Sequence, residues 1–193
     1  MFFMSILNFL FLGKHNVLNS LACISLCDKY LIDKKYIKSA LSMFTGANRR
    51  FEFKGTFNGA RIYDDYGHHP TEIVATSNSL KNKKYNKSWV VFQPHTYSRT
   101  KALLDDFASA LLNFDNIIVI DIYAARENNI FNISSKDLVD KIIQMGKNAI
   151  YIPDFESCVS YLKNNVQKDD IVLTLGAGSV TEIGPMLLDT KKL

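Results

Sequence analysis

Cysteine is scarce in this 193-residue chain, with Cys23, Cys27 and Cys158 its three examples. They form neither the even set of a secreted disulfide framework nor a zinc-ligand spacing, so they read as reduced, buried thiols of a cytoplasmic protein. Cys23 and Cys27 can share a helix face. Four histidines without paired cysteines give no case for a structural metal. Charge of one sign is hardly in excess: 23 Lys and Arg stand against 19 Asp and Glu, a net +4. That leaves no basic stripe, and nucleic acid is not an expected partner. A nucleic-acid surface would draw on Arg49, Arg50, Lys81, Lys83, Lys84 and Lys87, but the lysines read instead as a solvated helix end and loop. Residues 1–12 are almost wholly apolar, yet a bilayer needs about 20 such residues. The run also lacks a basic leader and a small-residue cleavage site, so neither a signal peptide nor a membrane span is expected. It reads as a buried strand or hairpin without its neighbours, as in the tail of a larger protein, and predicts self-association. No repeat, low-complexity segment or Gly-Lys-Ser/Thr phosphate loop occurs.

What is present is an orderly alternation. From Gly13 the apolar residues Val17, Leu18, Leu21, Ala22, Ile24 and Leu26 predict a helix whose broad face packs tightly. A second helix is expected over about Lys34 to Phe44, then a loop at Thr45–Asn48 where the domain boundary is placed. Two domains follow, residues 1–46 and 47–193. Arg50–Phe57 and Ala60–Tyr66 are read as a hairpin around Asn58-Gly59. Further strands are expected at Trp89–Phe92, Ile117–Tyr123, Ala149–Ile152 and Ile171–Leu175. One helix is expected over Thr100–Phe114, another after a capping-box-like start at Ser134-Ser135-Lys136-Asp137, and a third capped by Asp154. Continuous apolar strands alternating with helices imply an α/β fold: a Rossmann-like, mainly parallel, doubly wound sheet of five or six strands.

Two polar runs sit where apolar strands stop and helices begin: Asp64-Asp65-Tyr66-Gly67-His68-His69-Pro70, and Gln93-Pro94-His95-Thr96-Tyr97-Ser98-Arg99-Thr100. Open α/β sheets collect ligands at the carboxyl ends of their strands, so the two runs point to one site. A turn and helix start account for Gly67, His69 and Pro70, but not for adjacent carboxylates at a strand end. Neighbouring strand residues face opposite ways, so at most one of Asp64 and Asp65 faces a given pocket. Arg99 lies near a helix start, where the dipole disfavours a cation, which suggests an anion held between the guanidinium and free N–H groups. The run Leu175-Gly176-Ala177-Gly178-Ser179 lacks the third glycine of a dinucleotide fingerprint and reads as a tight strand-to-helix connection.

Several runs carry a family resemblance in their order along the chain. They are Gly13-Lys14-His15-Asn16-Val17-Leu18-Asn19-Ser20-Leu21-Ala22, then Arg49-Arg50-Phe51-Glu52, Tyr63 through Glu72, Phe92 through Thr100, and Ile122-Tyr123-Ala124-Ala125-Arg126-Glu127. From Gly13 onward the sequence resembles the Mur ligases, in their alanine-adding branch. The branch that recycles murein tripeptide typically has Phe-Ala-His-His-Pro where this chain has Tyr66-Gly67-His68-His69-Pro70.

The resemblance implies the end of a central ATPase domain at residues 1–46 and a complete carboxy-terminal domain at 47–193. It implies ATP-driven joining of L-alanine to UDP-N-acetylmuramate, through an acyl phosphate and a tetrahedral intermediate, in peptidoglycan precursor synthesis in the cytoplasm. Such chemistry needs positioning and charge stabilisation more than a covalent protein group. By matching positions, His15, Asn16 and Asn19 lie near the adenine of ATP and Arg50 meets its phosphates. Asp65 and His68 take catalytic positions, while His68, His95 and Arg99 surround the amino acid, Arg99 gripping its carboxylate. Two departures stand out: Thr96 occupies a place where many relatives carry arginine, and the family's UDP-binding domain and P-loop have no counterpart in these residues. Mg2+ is accordingly expected on central-domain residues outside this chain, and a separate amino-terminal half is a possible partner. The alternatives are a tripeptide-recycling relative and a non-catalytic module binding nucleotide or amino acid.

Without a phosphate loop to close upon, the chain alone is expected to bind nucleotide weakly and turn nothing over. Phosphate release with ATP, UDP-N-acetylmuramate and L-alanine is the measurement, and a robust rate would contradict the expectation.

Overall fold

The computed structural model describes residues 14–44, 47–81 and 83–189, so the apolar run 1–12 lies outside the described residues. The chain divides into two compact units, Met1–Asn48 and Arg49–Leu193. In the first, α1 (Lys14–Lys29) and α2 (Lys34–Met43) are joined by a short turn, and Asp33 caps α2 by accepting from the Lys35 N–H at 2.9 Å. The tight packing expected of α1 is not found among the described residues. Val17, Leu18, Leu21 and Leu26 are all exposed and α2 buries nothing. The expectation of three buried thiols fails with it: Cys23 is exposed, Cys27 half-buried, and Cys158 alone is buried.

The second unit is built on six strands: β1 (Glu52–Phe57), β2 (Ala60–Asp65), β3 (Ser88–Phe92), β4 (Asn116–Val119), β5 (Ala149–Tyr151) and β6 (Ile171–Leu175). Asn58 and Gly59 both take positive φ, 50° and 81°, the turn that lets β1 and β2 pair antiparallel. The remaining neighbours pair in parallel in the order β1-β2-β6-β3-β4-β5. Helices α3 (Pro70–Leu80), α5 (Leu104–Leu111) and α6 (Ser135–Gln144) supply one core, and α7 (Phe155–Asn165) and α8 (Ile183–Leu188) the other. The alternation of side chains along the strands sorts them between these cores. Val90, Phe92, Ile171, Leu173 and Leu175 face the first, while Trp89, Val91, Ile118 and Val172 face the second. Each fully buried apolar side chain contributes about 1.5–3 kcal/mol. This is the doubly wound, mainly parallel α/β sheet expected.

The helix starts follow local chemistry. His69 is extended (ψ 145°) ahead of Pro70, which opens α3 at the position where a missing N–H costs nothing. The Asp137 carboxylate accepts from the Ser134 N–H and hydroxyl, at 2.8 and 2.7 Å, opening α6. Asp154 accepts from the Ser157 N–H at 2.7 Å to open α7.

Two boundaries differ from expectation. The helix read as Thr100–Phe114 is two: α4 (Tyr97–Ala102), then α5 after a break at Leu103 (φ −116°, ψ 24°). Asp105 and Asp106 in the first turn of α5 suit a fresh helix start electrostatically. The strand read as Ile117–Tyr123 ends at Val119. Its continuation stays beside the chain leaving β3: the Ile120 N–H donates to the Phe92 carbonyl at 3.1 Å, and Tyr123 makes an isolated parallel bridge with His95.

Helices α3 and α5, which follow β2 and β3, pack on one face of the sheet and α8, which follows β6, on the other, so the chain leaves β6 toward the opposite side from its two neighbours and the carboxyl ends there frame a crevice. Asp65, Leu175 and Phe92 lie level across the three strands. At the exit of β6, Gly176 takes φ +148°, and a Cβ there would stand 2.7 Å from the Gln93 carbonyl oxygen. Gly176→Ala is therefore expected to cost about 1–3 kcal/mol of stability, read as a lowered urea midpoint at unchanged m-value.

Candidate functional site

The three level strand ends place three loops side by side: Tyr66–His69 after β2, Gln93–Thr96 after β3, and Gly176–Gly178 after β6. Adjacent carboxylates at the end of β2 face opposite cores, as the pleat requires. Asp64, fully buried, shares its side with Thr174, whose hydroxyl donates to it at 2.6 Å. The Thr181 hydroxyl and the Arg49 Nε each donate to its second oxygen at 2.9 Å. Arg49 Nη2 also donates to the Gly176 carbonyl. Asp65 faces the other core, where its two oxygens accept from the Gly67 N–H at 2.7 Å and the Phe51 N–H at 2.9 Å. Burial raises its pKa above the usual carboxylate value, although those N–H groups and Arg50 pull the other way.

Of the residues the sequence singled out, His68, His95 and Arg99 are brought together. The rings of His68 and His95 lie 5.8 Å apart, and that of His95 stacks on Tyr123 at 5.4 Å. Among the described residues, two buried side-chain polar atoms have no hydrogen-bond partner: His95 Nδ1 and Arg99 Nη1. Buried polar atoms are rarely left unpaired, because each costs its full desolvation. Burial first, then the charge of Arg99 and the neighbouring His68, hold the His95 pKa below its usual value. His68 is anchored by its own backbone, its N–H donating to Glu72 at 2.9 Å, with its Nδ1 3.5 Å from that carboxylate. Against the partial burial that would raise it, the His68 N–H and the charges of His68 and Arg50 hold Glu72 below its usual range.

Asp65 stands on the same rim, but as the buried anchor of the Gly67 turn. Arg50 is at the margin, 3.7 Å from Glu72 and over the Tyr66 ring. His15, Asn16 and Asn19 belong to the first unit; Asn19 is exposed on α1, and the side chains of the other two lie outside those described.

The anion read into the start of Arg99's helix needs correction. Helix α4 has six residues, so Arg99 lies within its last turn as well as near its start, and the dipole penalty is small. The Ser98 N–H at that start is already taken, by the chain's own Glu127 at 2.9 Å. Sequence reasoning also gave no role to Arg49 or Gln93. Gln93 accepts from the Val180 N–H at 2.9 Å, and a Cβ on Gly178 would come within 2.4 Å of its Oε1. The signal available for Arg49 was a buried strand-end carboxylate that had to have a cation nearby. Among the described residues no group of three or more His, Cys, Asp or Glu could hold a metal ion, and no helix is long and apolar enough to cross a membrane.

Comparisons with known proteins converge. Residues 49–178 match the family model described as Mur ligase, glutamate ligase domain. The chain is 51% identical over 176 residues to the UDP-N-acetylmuramate–L-alanine ligase of Lachnospira eligens, covering 91% of this chain and 38% of that one. It is 48% identical over 180 residues to the enzyme of that name from Caldanaerobacter subterraneus subsp. tengcongensis, covering 93% and 39%. Among solved structures, UDP-N-acetylmuramate-alanine ligase MurC from Thermotoga maritima superposes with a TM-score of 0.73 at 27% identity, over 93% of this chain and 38% of that one. The chain thus spans about two fifths of the length of the curated relatives it matches.

Since the folded His95 holds its proton less readily than the usual 6.5 of the unfolded chain, the unfolded state binds more protons as pH falls. The stability its neutral ring contributes is complete above pH 6.5 and declines as pH drops through the folded value. His95→Gln is expected to flatten that dependence, measured as urea midpoints across the interval.

Proposed function

This chain belongs to the Mur ligase family through residues 49–178, and from that premise we propose that it supplies the amino-acid-accepting part of an ATP-driven ligase joining L-alanine to UDP-N-acetylmuramate. The observation that carries the reading is the pair of unpartnered buried atoms, His95 Nδ1 and Arg99 Nη1, beside a rim that also holds His68. A carboxylate satisfies an arginine fork, which holds it in fixed orientation, and an imidazole nitrogen in the tautomer that carries its proton. The amine of the bound amino acid is then presented to an acyl phosphate, with rate gained from positioning. A neutral His95 leaves that amine free of a competing charge on the ring beside it.

His68, with its backbone fixed by Glu72, stands beside the reacting end. The hydrogen bonds of Asp65 favour a role through the Gly67 turn, which it holds in place beneath His68. Residues 1–46 form the end of a central ATP-binding domain and 47–193 the carboxy-terminal domain. His15, Asn16 and Asn19 meet the adenine and Arg50 the phosphates; Mg2+ is held chiefly by the part of the relatives that this chain does not span. The setting is the cytoplasm, where peptidoglycan precursors are made.

L-alanine added to the chain is expected to shift the NMR resonances of His95, Arg99 and His68, and ethylamine, which lacks the carboxylate, to leave them unmoved. Arg99→Met is expected to weaken that response by about tenfold or more, the loss of one charge-assisted pair. No response from the unaltered chain would refute the reading.

A further inference from the structure

The short helix α4 carries Arg99 but has no cap of its own. Thr96 sits at the N-cap position with φ +68°, and its hydroxyl makes no capping bond to the helix. A β-branched residue at positive φ is strained, so its surroundings must hold it there. What holds it is the segment after β4. The Tyr123 N–H donates to the Pro94 carbonyl at 2.8 Å, and the Thr96 N–H donates to the Tyr123 carbonyl at 2.9 Å. Four residues later Glu127 reaches back. One carboxylate oxygen accepts from the Ser98 N–H at 2.9 Å and the other from the Ser98 hydroxyl at 2.5 Å.

We propose that Glu127 is a positioning residue: its carboxylate replaces the missing cap of α4 and, through Ser98, aims the neighbouring Arg99 and the His95 that precedes the strained Thr96. The segment Tyr123–Glu127 thereby grips both sides of the His95–Ser98 turn, with the Tyr123 ring stacked on His95. Its back is fixed as well, since a Cβ on Gly178 would lie 2.6 Å from Tyr123 Cγ. The carboxylate also bears on the imidazole electrically. The charged and titratable groups facing His95 are Arg99 of α4, His68 after β2, the stacked Tyr123 and Glu127, and among the charges Glu127 is the one that favours the protonated ring. The two Ser98 bonds in turn hold Glu127 below its usual value. The inference rests on the proposed function only for what His95 and Arg99 bind.

The test compares Glu127→Ala, Glu127→Gln and Glu127→Asp in the whole chain by three NMR readouts: amide exchange at Ser98 and Arg99, the titration of His95, and the response to L-alanine. In Glu127→Ala, exchange at Ser98 and Arg99 is expected to quicken by about fivefold, the factor set by one lost helix cap. His95 is expected to titrate at lower pH, and the L-alanine response of Arg99 to weaken. Glu127→Gln keeps an acceptor for the Ser98 N–H, so it should restore slow exchange but not the His95 titration. Glu127→Asp, charged but shorter, should do the reverse. A lowered melting temperature with His95 and the L-alanine response unmoved would make Glu127 a structural tie only and overturn the proposal. Unchanged Ser98 exchange would do the same. Should Glu127→Ala fail to fold, Glu127→Gln decides the role of the carboxylate through the His95 titration. If the unaltered chain ignores L-alanine, the reading of the site fails, while the Ser98 and His95 readouts still decide the role of Glu127.

Discussion

A carboxylate withdrawn from water must be neutralised and fully hydrogen-bonded, and at Asp64 that requirement organises the whole rim. Its three donors come from three places in the chain: Thr174 on β6, Thr181 beyond it, and Arg49 at the entry to the sheet. Removing one partner of such a buried pair costs about 3–5 kcal/mol, since the other charge is left stranded. Meeting one electrostatic demand therefore fixes three backbones at once. Arg49 extends the tie to the Gly176 carbonyl, and its own carbonyl accepts from the Tyr66 N–H at 2.6 Å. The loops that carry His68 and Gly176 are thus referenced to the same buried charge.

The neighbouring Asp65 solves the opposite problem with the opposite means. It has no cation in direct contact; two backbone N–H groups take its oxygens, and burial raises its pKa. One strand end thus carries two carboxylates with different work, one gathering elements behind the site and one shaping the turn in front of it. On the other side the balance is reversed, with unpartnered buried atoms on His95 and Arg99 and the flanking anions, Glu72 and Glu127, already engaged by backbone N–H groups.

Much of this was legible in the sequence because it is local. The Asn58-Gly59 hairpin, the His69-Pro70 helix start, the Ser134 and Asp154 starts and the apolar strands each depend on a few adjacent residues. The convergence of His68, His95 and Arg99 followed from the rule that strand ends gather ligands. What escaped is long-range. The early end of β4 is followed by a single bridge from Tyr123 to His95, a pairing no local pattern announces. Glu127 was visible as a letter in a motif, but its partner Ser98 lies 29 residues away. The apolar face of α1 was read correctly as apolar and wrongly as packed, since periodicity shows which face wants burial and not what covers it.

The close approach of Gly176 to the Gln93 carbonyl, and of Gly178 to Gln93 and Tyr123, has a consequence for how such a domain can diversify. The loops after β3 and β6 and Tyr123 in the segment after β4 meet at distances shorter than a methyl group tolerates, so at Gly176 and Gly178 no side chain can be added without moving a neighbour. Farther along the segment after β4 the stretch 128–132 is exposed, and extra length there meets no such obstacle. Diversification at this edge therefore runs through the outer part of one loop, while the glycine contacts keep its base unchanged.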